Sequence, residues 1–212
     1  MTIDIIDFHT HRLDASAALI SVDPRQFDPQ PGRCYSLGLH PWNSLTIDDS
    51  QTALTALEQH ASHPQVLAIG ETGMDTLRGA DLDIQAQLYL RHLQLAHDLG
   101  KPVVVHMVRT ARPIVDVRRR AGLTDVPLAI HGMRGNAQVA RMLIDEGCYL
   151  SFGRYFNPAA LMATPPDRLL IETDDSEVTI LEVASCIAQT LGRSVHDITT
   201  TAADNARRLL AY

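Results

Sequence analysis

Short runs of β-branched and apolar residues recur along the chain at 3–8, 17–22, 34–39, 66–69, 102–105, 127–130, 148–152 and 168–171. Several of the intervals between them carry helical periodicity instead. In 81–99, Ile84, Leu88, Leu95 and Leu99 fall on one face, and Gly100 followed by Pro102 stops the helix. Asn136 is placed to cap a helix ending near Gly147, and Ser194 to Asp197 has capping-box spacing ahead of a last helix containing Ala202 and Leu209. Continuously apolar strands separated by helices imply parallel strands buried on both faces, and eight of them predict an α/β fold of the closed (β/α)8 TIM-barrel kind. Only about ten residues separate the first two strands, and 154–167 with its three prolines leaves little room for a helix, so the predicted barrel is shortened. An open, doubly wound sheet with fewer strands is the alternative. No internal repeat, low-complexity tract or linker interrupts the pattern, and 1–212 reads as a single domain.

Composition narrows the partners. The 212 residues are 45% hydrophobic and 20% charged, with ten histidines and a formal net charge of −7. That balance argues against a broad basic face for duplex DNA, because phosphate neutralisation by Lys and Arg supplies most of such affinity. No apolar run approaches the roughly 20 residues of a membrane span. Asp4 and Asp7 interrupt the segment where a signal peptide needs an apolar core, so a cytoplasmic location is expected. Cys34, Cys148 and Cys186 are far apart and read as small core residues rather than as a disulfide framework. His60, His63, His92, His97 and His196 lie on helical stretches and are expected to face solvent. The same reading applies to Arg118, Arg119 and Arg120 at the end of a helix.

The remaining ionisable residues cluster where a barrel enzyme builds its site, at the C-terminal ends of strands. His9 and His11 follow the first predicted strand, His40 the third, Glu71 the fourth, His106 the fifth, His131 the sixth and Asp174 the eighth. His9 and His11, two apart on extended chain, point the same way and can face one ion. Any one of these groups alone reads as a structural residue satisfied by a hydrogen bond, and Glu71 as a capping or salt-bridged carboxylate. Together they would be costly to bury uncompensated, and divalent cations compensate them. His9, His11, His106 and His131 with a bridging Glu71 and a terminal Asp174 give each of two ions about three protein ligands, leaving positions open for water and substrate.

Six ordered blocks, Asp7-Phe-His-Thr-His11, Gly38-Leu-His-Pro41, Gly70-Glu-Thr-Gly-Met-Asp75, Lys101-Pro-Val-Val-Val-His106, Ile130-His-Gly132 and Ile171-Glu-Thr-Asp174, resemble the signature of TatD-family metal-dependent hydrolases. Asn205-Ala-Arg-Arg-Leu209 is similar to the family's closing segment. The resemblance implies an amidohydrolase-type barrel, two divalent metals and hydrolysis of phosphodiester bonds, with several members acting as deoxyribonucleases. By position it places metal ligands at His9, His11, Glu71, His106, His131 and Asp174. The sequence departs from the family where Asp175 and Ser176 follow Asp174 in place of a small residue and Pro. His131-Gly-Met-Arg-Gly135 and Ser151-Phe-Gly-Arg154 look like a compact subgroup.

These readings lead to a metal-activated water as nucleophile, with Asp174 as both ligand and proton acceptor. Zn, Mn, Mg and Fe all suit imidazole and carboxylate ligands. His40 is assigned to substrate or leaving-group contact, with a supporting role as the alternative. Arg109, Arg134 and Arg154 follow strand ends and suit bidentate capture of phosphate oxygens, or else pair with acids such as Asp75, Glu172 and Asp175. The expected substrate is a nucleotide or a single-stranded oligonucleotide end. A small amide, ester or lactone is the competing substrate class, and a non-catalytic metal- or protein-binding barrel the third reading.

Overall fold

The apolar runs become strands in the computed structural model, which describes residues 4–43 and 46–210. Residue 3, the predicted start of the first strand, lies outside the described residues. In chain order the elements are β1 (Asp7–Thr10), β2 (Ala18–Val22), β3 (Cys34–Leu37), α1 (Ile47–His60), β4 (Val66–Asp75), α2 (Leu82–Leu99), β5 (Val103–Val108), α3 (Ala111–Arg120), β6 (Leu128–Ile130), α4 (Ala137–Asp145), β7 (Tyr149–Phe152), α5 (Pro158–Ala163), β8 (Leu169–Ile171), α6 (Ile180–Leu191) and α7 (Val195–Leu210). The eight parallel strands follow one another in order from β1 to β8 and close into a (β/α)8 barrel. The shortening falls between β1 and β2 and at α5, as the sequence predicts, and also between β2 and β3, which the sequence did not single out. Seven residues without a helix join β1 to β2, a single 3-10 turn at Pro24–Gln26 lies between β2 and β3, and α5 has six residues. No helix among the described residues is long and apolar enough to cross a membrane.

By contact density the chain divides into two units, Ser21–Leu128 and Met1–Ile20 with Ala129–Tyr212. In the first, β4 runs six residues past the apolar stretch that announces it, because Gly70-Glu-Thr-Gly-Met-Asp75 continues as buried strand. The glycines permit this. A Cβ on Gly73, whose φ is +143°, would lie 2.1 Å from the carbonyl oxygen of His106, and one on Gly70, φ +123°, would lie 2.3 Å from that of Val104. Only glycine lets β4 approach β5 so closely in that backbone conformation. Gln85 of α2 then ties off the strand: its Oε1 accepts the Asp75 N–H at 2.7 Å and its Nε2 donates to the Ala80 carbonyl at 2.6 Å.

The buried face of α2 keeps Leu88, with Ile84 partly buried against the core, but is rotated away from the rest of the stripe its leucines predict. Gln85, Leu88, Tyr89, His92, Leu93 and Ala96 are buried, and Leu95 and Leu99 lie at the margin. Two polar residues on the buried face displaced the apparent stripe. His92, expected in solvent, is fully buried: its Nδ1 donates to the Leu88 carbonyl at 2.7 Å and its Nε2 accepts the Leu39 N–H at 3.0 Å. Burial lowers its pKa to about 4, against the opposing pull of the Leu88 carbonyl. His60 and His63 pack half-buried on Phe27, His97 faces Asp125 at 3.2 Å, and His196 is exposed as expected. Arg118 also departs from expectation. It is buried and satisfies the carbonyls of Leu123 and Thr124 after α3, whereas Arg119 and Arg120 are exposed.

In the second unit, β1 pairs with β2 and β8, and β7 with β6 and β8. Asn136 caps α4, Thr179 and Glu182 form a capping box on α6, and Ser194 accepts the Asp197 N–H at the start of α7. Asn205 of α7 donates to the carbonyls of Pro166 and Leu169, fastening the helix to the entry of β8. Cys34 and Cys148 are buried as predicted, but Cys186 is exposed on α6, whose apolar face is made by Val183, Ala184, Ile187 and Ala188.

Two outcomes follow from this packing. His92 stays neutral in the native state and protonates on unfolding near pH 6.5, so its contribution is present above that pH and is lost as pH falls toward 4. Urea denaturation at pH 7 and pH 5 should show the native state losing about 2 kcal/mol through this residue, and His92→Gln should flatten that slope by about one proton. Gly100 caps α2 at φ +64° with nothing near its would-be Cβ. Gly100→Ala should therefore cost about 1 kcal/mol, and Gly73→Ala several times more, in the same assay.

Candidate metal centre

Strand β1 delivers His9 inside the strand, His11 just beyond it, and Thr10 between them on the opposite side. The chain leaving β8 is bolted alongside. The Asp174 N–H donates to the His9 carbonyl at 2.9 Å, and the His11 N–H donates to the Asp174 carbonyl at 3.3 Å. Asp174 takes a left-handed φ of +54°, which Asp tolerates better than most residues, and Ser176 folds back through its N–H and hydroxyl onto the Thr173 carbonyl. Asp175 and Ser176 thus close a tight turn in place of the proline expected of the family pattern. Beneath it, Thr173 donates its N–H and hydroxyl to the two oxygens of Asp7 at 2.9 and 2.6 Å. Burial raises the Asp7 pKa to about 6 despite those bonds, with the nearby Glu172 adding to the rise.

The side chains of His9, His131 and Asp174 bring donor atoms within 4.8 Å of one another. Asp174 Oδ1 lies 3.7 Å from His9 Nε2 and also 3.7 Å from His11 Nε2. These separations exceed hydrogen-bond length. They match ligands sharing one ion, because metal–ligand bonds of ≈ 2.0–2.2 Å place neighbouring donors roughly 3–4 Å apart. The His9 ring stacks on His131 at 4.2 Å between centroids. Behind His131 sits Glu172, fully buried, whose Oε1 accepts the Gly132 N–H at 2.6 Å and faces His131 Nδ1 at 3.5 Å. An outer carboxylate that orients a ligating imidazole is a recurrent partner of metal histidines.

The unit formed by Ser21–Leu128 holds a second group, His40, Glu71 and His106, again with donors within 4.8 Å. Here the contacts are at hydrogen-bond length. Glu71 Oε1 lies 2.9 Å from His40 Nε2 and 2.9 Å from His106 Nδ1. His40 Nδ1 accepts the Trp42 backbone N–H at 3.1 Å, so the neutral ring carries its proton on Nε2 and donates it to Glu71. His40, assigned from sequence to substrate contact, therefore holds Glu71 in place. His106 Nε2 faces Asp75 Oδ2 at 3.2 Å, and the Trp42 indole donates to the same oxygen at 2.6 Å. Burial pushes the Asp75 carboxyl up, but the Leu77 N–H, the Trp42 indole and His106 outweigh it and hold it below the usual range.

Of the arginines, Arg134 and Arg154 converge on one exposed ring, their guanidinium carbons 5.6 and 5.4 Å from the centroid of Tyr155. Arg109 is exposed at the end of β5 in a left-handed conformation, φ +56°. None of the three pairs with Asp75, Glu172 or Asp175 among the described residues. Sequence reasoning passed over Trp42, Asp75 and Thr173 as parts of the site. The signal for Asp75 was its position four residues after Glu71, on the same side of a strand read as ending too early.

A family model described as TatD related DNase matches residues 28–211. The chain belongs to that family. It is 28% identical over 199 residues to the uncharacterized metal-dependent hydrolase TatD of Mycobacterium tuberculosis, covering 82% of this chain and 74% of that one. It is 33% identical over 155 residues to the 3′-5′ ssDNA/RNA exonuclease TatD of Musicola paradisiaca, covering 68% of this chain and 58% of the relative. The crystal structure of YJJV, a TatD homologue from Escherichia coli, superposes with a TM-score of 0.80 at 21% identity over the whole of both chains. This TatD-family protein is thus a metal-dependent hydrolase, and its buried imidazoles and carboxylates are a donor set suited to divalent ions.

Metal should stabilise the fold. At a free ion concentration of 100 times Kd the gain is ≈ 2.7 kcal/mol, or a Tm rise of roughly 5–10 °C for a protein of this size. The expected result is that Zn²⁺ or Mn²⁺ raises the melting temperature of the chelator-treated wild type, and that the increment shrinks markedly in His9→Ala.

Proposed function

We propose that this protein is a phosphodiesterase that removes nucleotides from single-stranded nucleic-acid ends, with one divalent ion held by His9, His11, His131 and Asp174 and another by Glu71 and His106. The observation that carries the reading is the placement of Asp174 Oδ1 at 3.7 Å from both His9 and His11 in a side chain still 24% exposed. A carboxylate so placed accepts the proton of an attacking water that solvent can supply. Bound divalent ions would acidify that water and neutralise charge on the scissile phosphate. Glu71, fixed by His40 and His106, and His131, backed by Glu172, keep their orientations before substrate arrives. Arg134 and Arg154 gather two positive charges at one exposed ring although the chain as a whole carries a net charge of −7. The exonuclease name of the Musicola relative supports the same substrate class.

The test is release of mononucleotides from a labelled single-stranded oligonucleotide by protein loaded with Mg²⁺, Mn²⁺ or Zn²⁺. Cleavage is expected with at least one metal, and Asp174→Asn should lower kcat about 100-fold or more. Metal-dependent hydrolysis of a small ester or lactone, with no oligonucleotide cleavage under any of the three metals, would replace this reading with a carbonyl hydrolase.

A further inference from the structure

Trp42 is the single tryptophan of the chain, and 43% of it is exposed although its position is tightly held. Its indole N–H donates to Asp75 Oδ2 at 2.6 Å, and its backbone N–H donates to His40 Nδ1 at 3.1 Å. Asp75 is itself fixed, because its Oδ1 accepts the Leu77 N–H at 2.7 Å. The ring meets the imidazoles of His40 and His106 edge-on, at centroid distances of 4.7 and 5.4 Å. Over the indole, 4.4 Å from its centroid, lies the guanidinium of Arg78, which has no carboxylate partner among the described residues. A large aromatic held rigidly by one edge, partly open to water, with a cation at its face and ligand-bearing side chains at its rim, matches what a single-stranded nucleic-acid subsite needs. Because the guanidinium already covers one face of the indole, a base would stack on the guanidinium plane itself or on the opposite indole face, and the guanidinium charge would attract the adjoining phosphate. Packing alone would not require the exposure.

We propose that Trp42 and Arg78 form a subsite for a nucleobase beside His40 and His106, so that the enzyme selects nucleotide ends over phosphodiesters that carry no base. This rests on the phosphodiesterase reading above. The lone indole is its own reporter. Metal-loaded protein is titrated with phosphorothioate-linked oligothymidylate and with an abasic oligomer of the same length and linkage. Saturable quenching of tryptophan emission by the first and not the second is expected. On cleavable substrates, the preference in kcat/KM for a base-bearing end over an abasic end should fall about tenfold in Trp42→Ala and be retained in Trp42→Phe. The ratio is insensitive to a general loss of activity from the missing Asp75 contact. Cleavage of oligothymidylate without any change in emission, or a preference unchanged in Trp42→Ala, overturns the subsite. Quenching without cleavage supports the subsite and overturns the phosphodiesterase reading, and the absence of both overturns both.

Discussion

Burying ionisable groups at strand ends is the constraint to which the rest of this protein answers. His9 and Glu172 are fully buried, and Glu71 and His131 nearly so. Each would cost several kcal/mol in a dry interior if left uncompensated. The chain compensates with local donors: the Gly132 N–H on Glu172, His40 and His106 on Glu71, and the N–H and hydroxyl of Thr173 on Asp7. The compensation is incomplete. Glu172 Oε2 has no hydrogen-bond partner among the described residues, and Asp174 stands too far from His9 and His11 to bond them directly. Arrangements that leave negative and imidazole donors converging at ligand spacing are the ones a cation completes, as expected of a metal-dependent hydrolase.

The backbone is shaped to hold those groups rather than only to pack. Gly70 and Gly73 let β4 press against β5 on either side of Glu71, which sets the carboxylate beside His106. Gln85 reaches from α2 to close the end of β4, where Asp75 meets both His106 and Trp42. In the other unit, the reciprocal hydrogen bonds between Asp174 and the His9–His11 segment join two stretches of chain more than 160 residues apart. A donor set assembled from such distant segments forms only with the fold, so binding of an ion there would be coupled to folding stability.

Much of this was legible in the residues. Eight apolar runs at barrel spacing foretold eight parallel strands, and two short intervals foretold two of the three places where outer helices are reduced. His9, His131 and Asp174 fall into one donor group and Glu71 and His106 into the other, with His11 3.7 Å from Asp174, because alternation along an extended chain is a local rule that sequence expresses directly. The bond of His40 to Glu71 fits the supporting role that the sequence left open beside substrate contact, and it depends on how two strands meet.

What the sequence could not decide is what depends on tertiary burial. His92, Gln85 and Arg118 look like surface residues because they are polar, yet each is buried against backbone groups that no periodicity reveals. Cys186 looks like core, yet α6 turns it outward. The extension of β4 to Asp75 was hidden because Gly, Glu and Thr interrupt an apolar run, although backbone pairing continues through them. By itself the sequence determined the barrel and the family and placed the candidate imidazoles and carboxylates at strand ends, all of which follow from residue type and local spacing. The tertiary structure alone decided which polar groups are dry, which nitrogen of His40 faces Glu71, and that Trp42 stands beside His40 and His106, because those properties belong to how the chain packs rather than to residue type and local spacing.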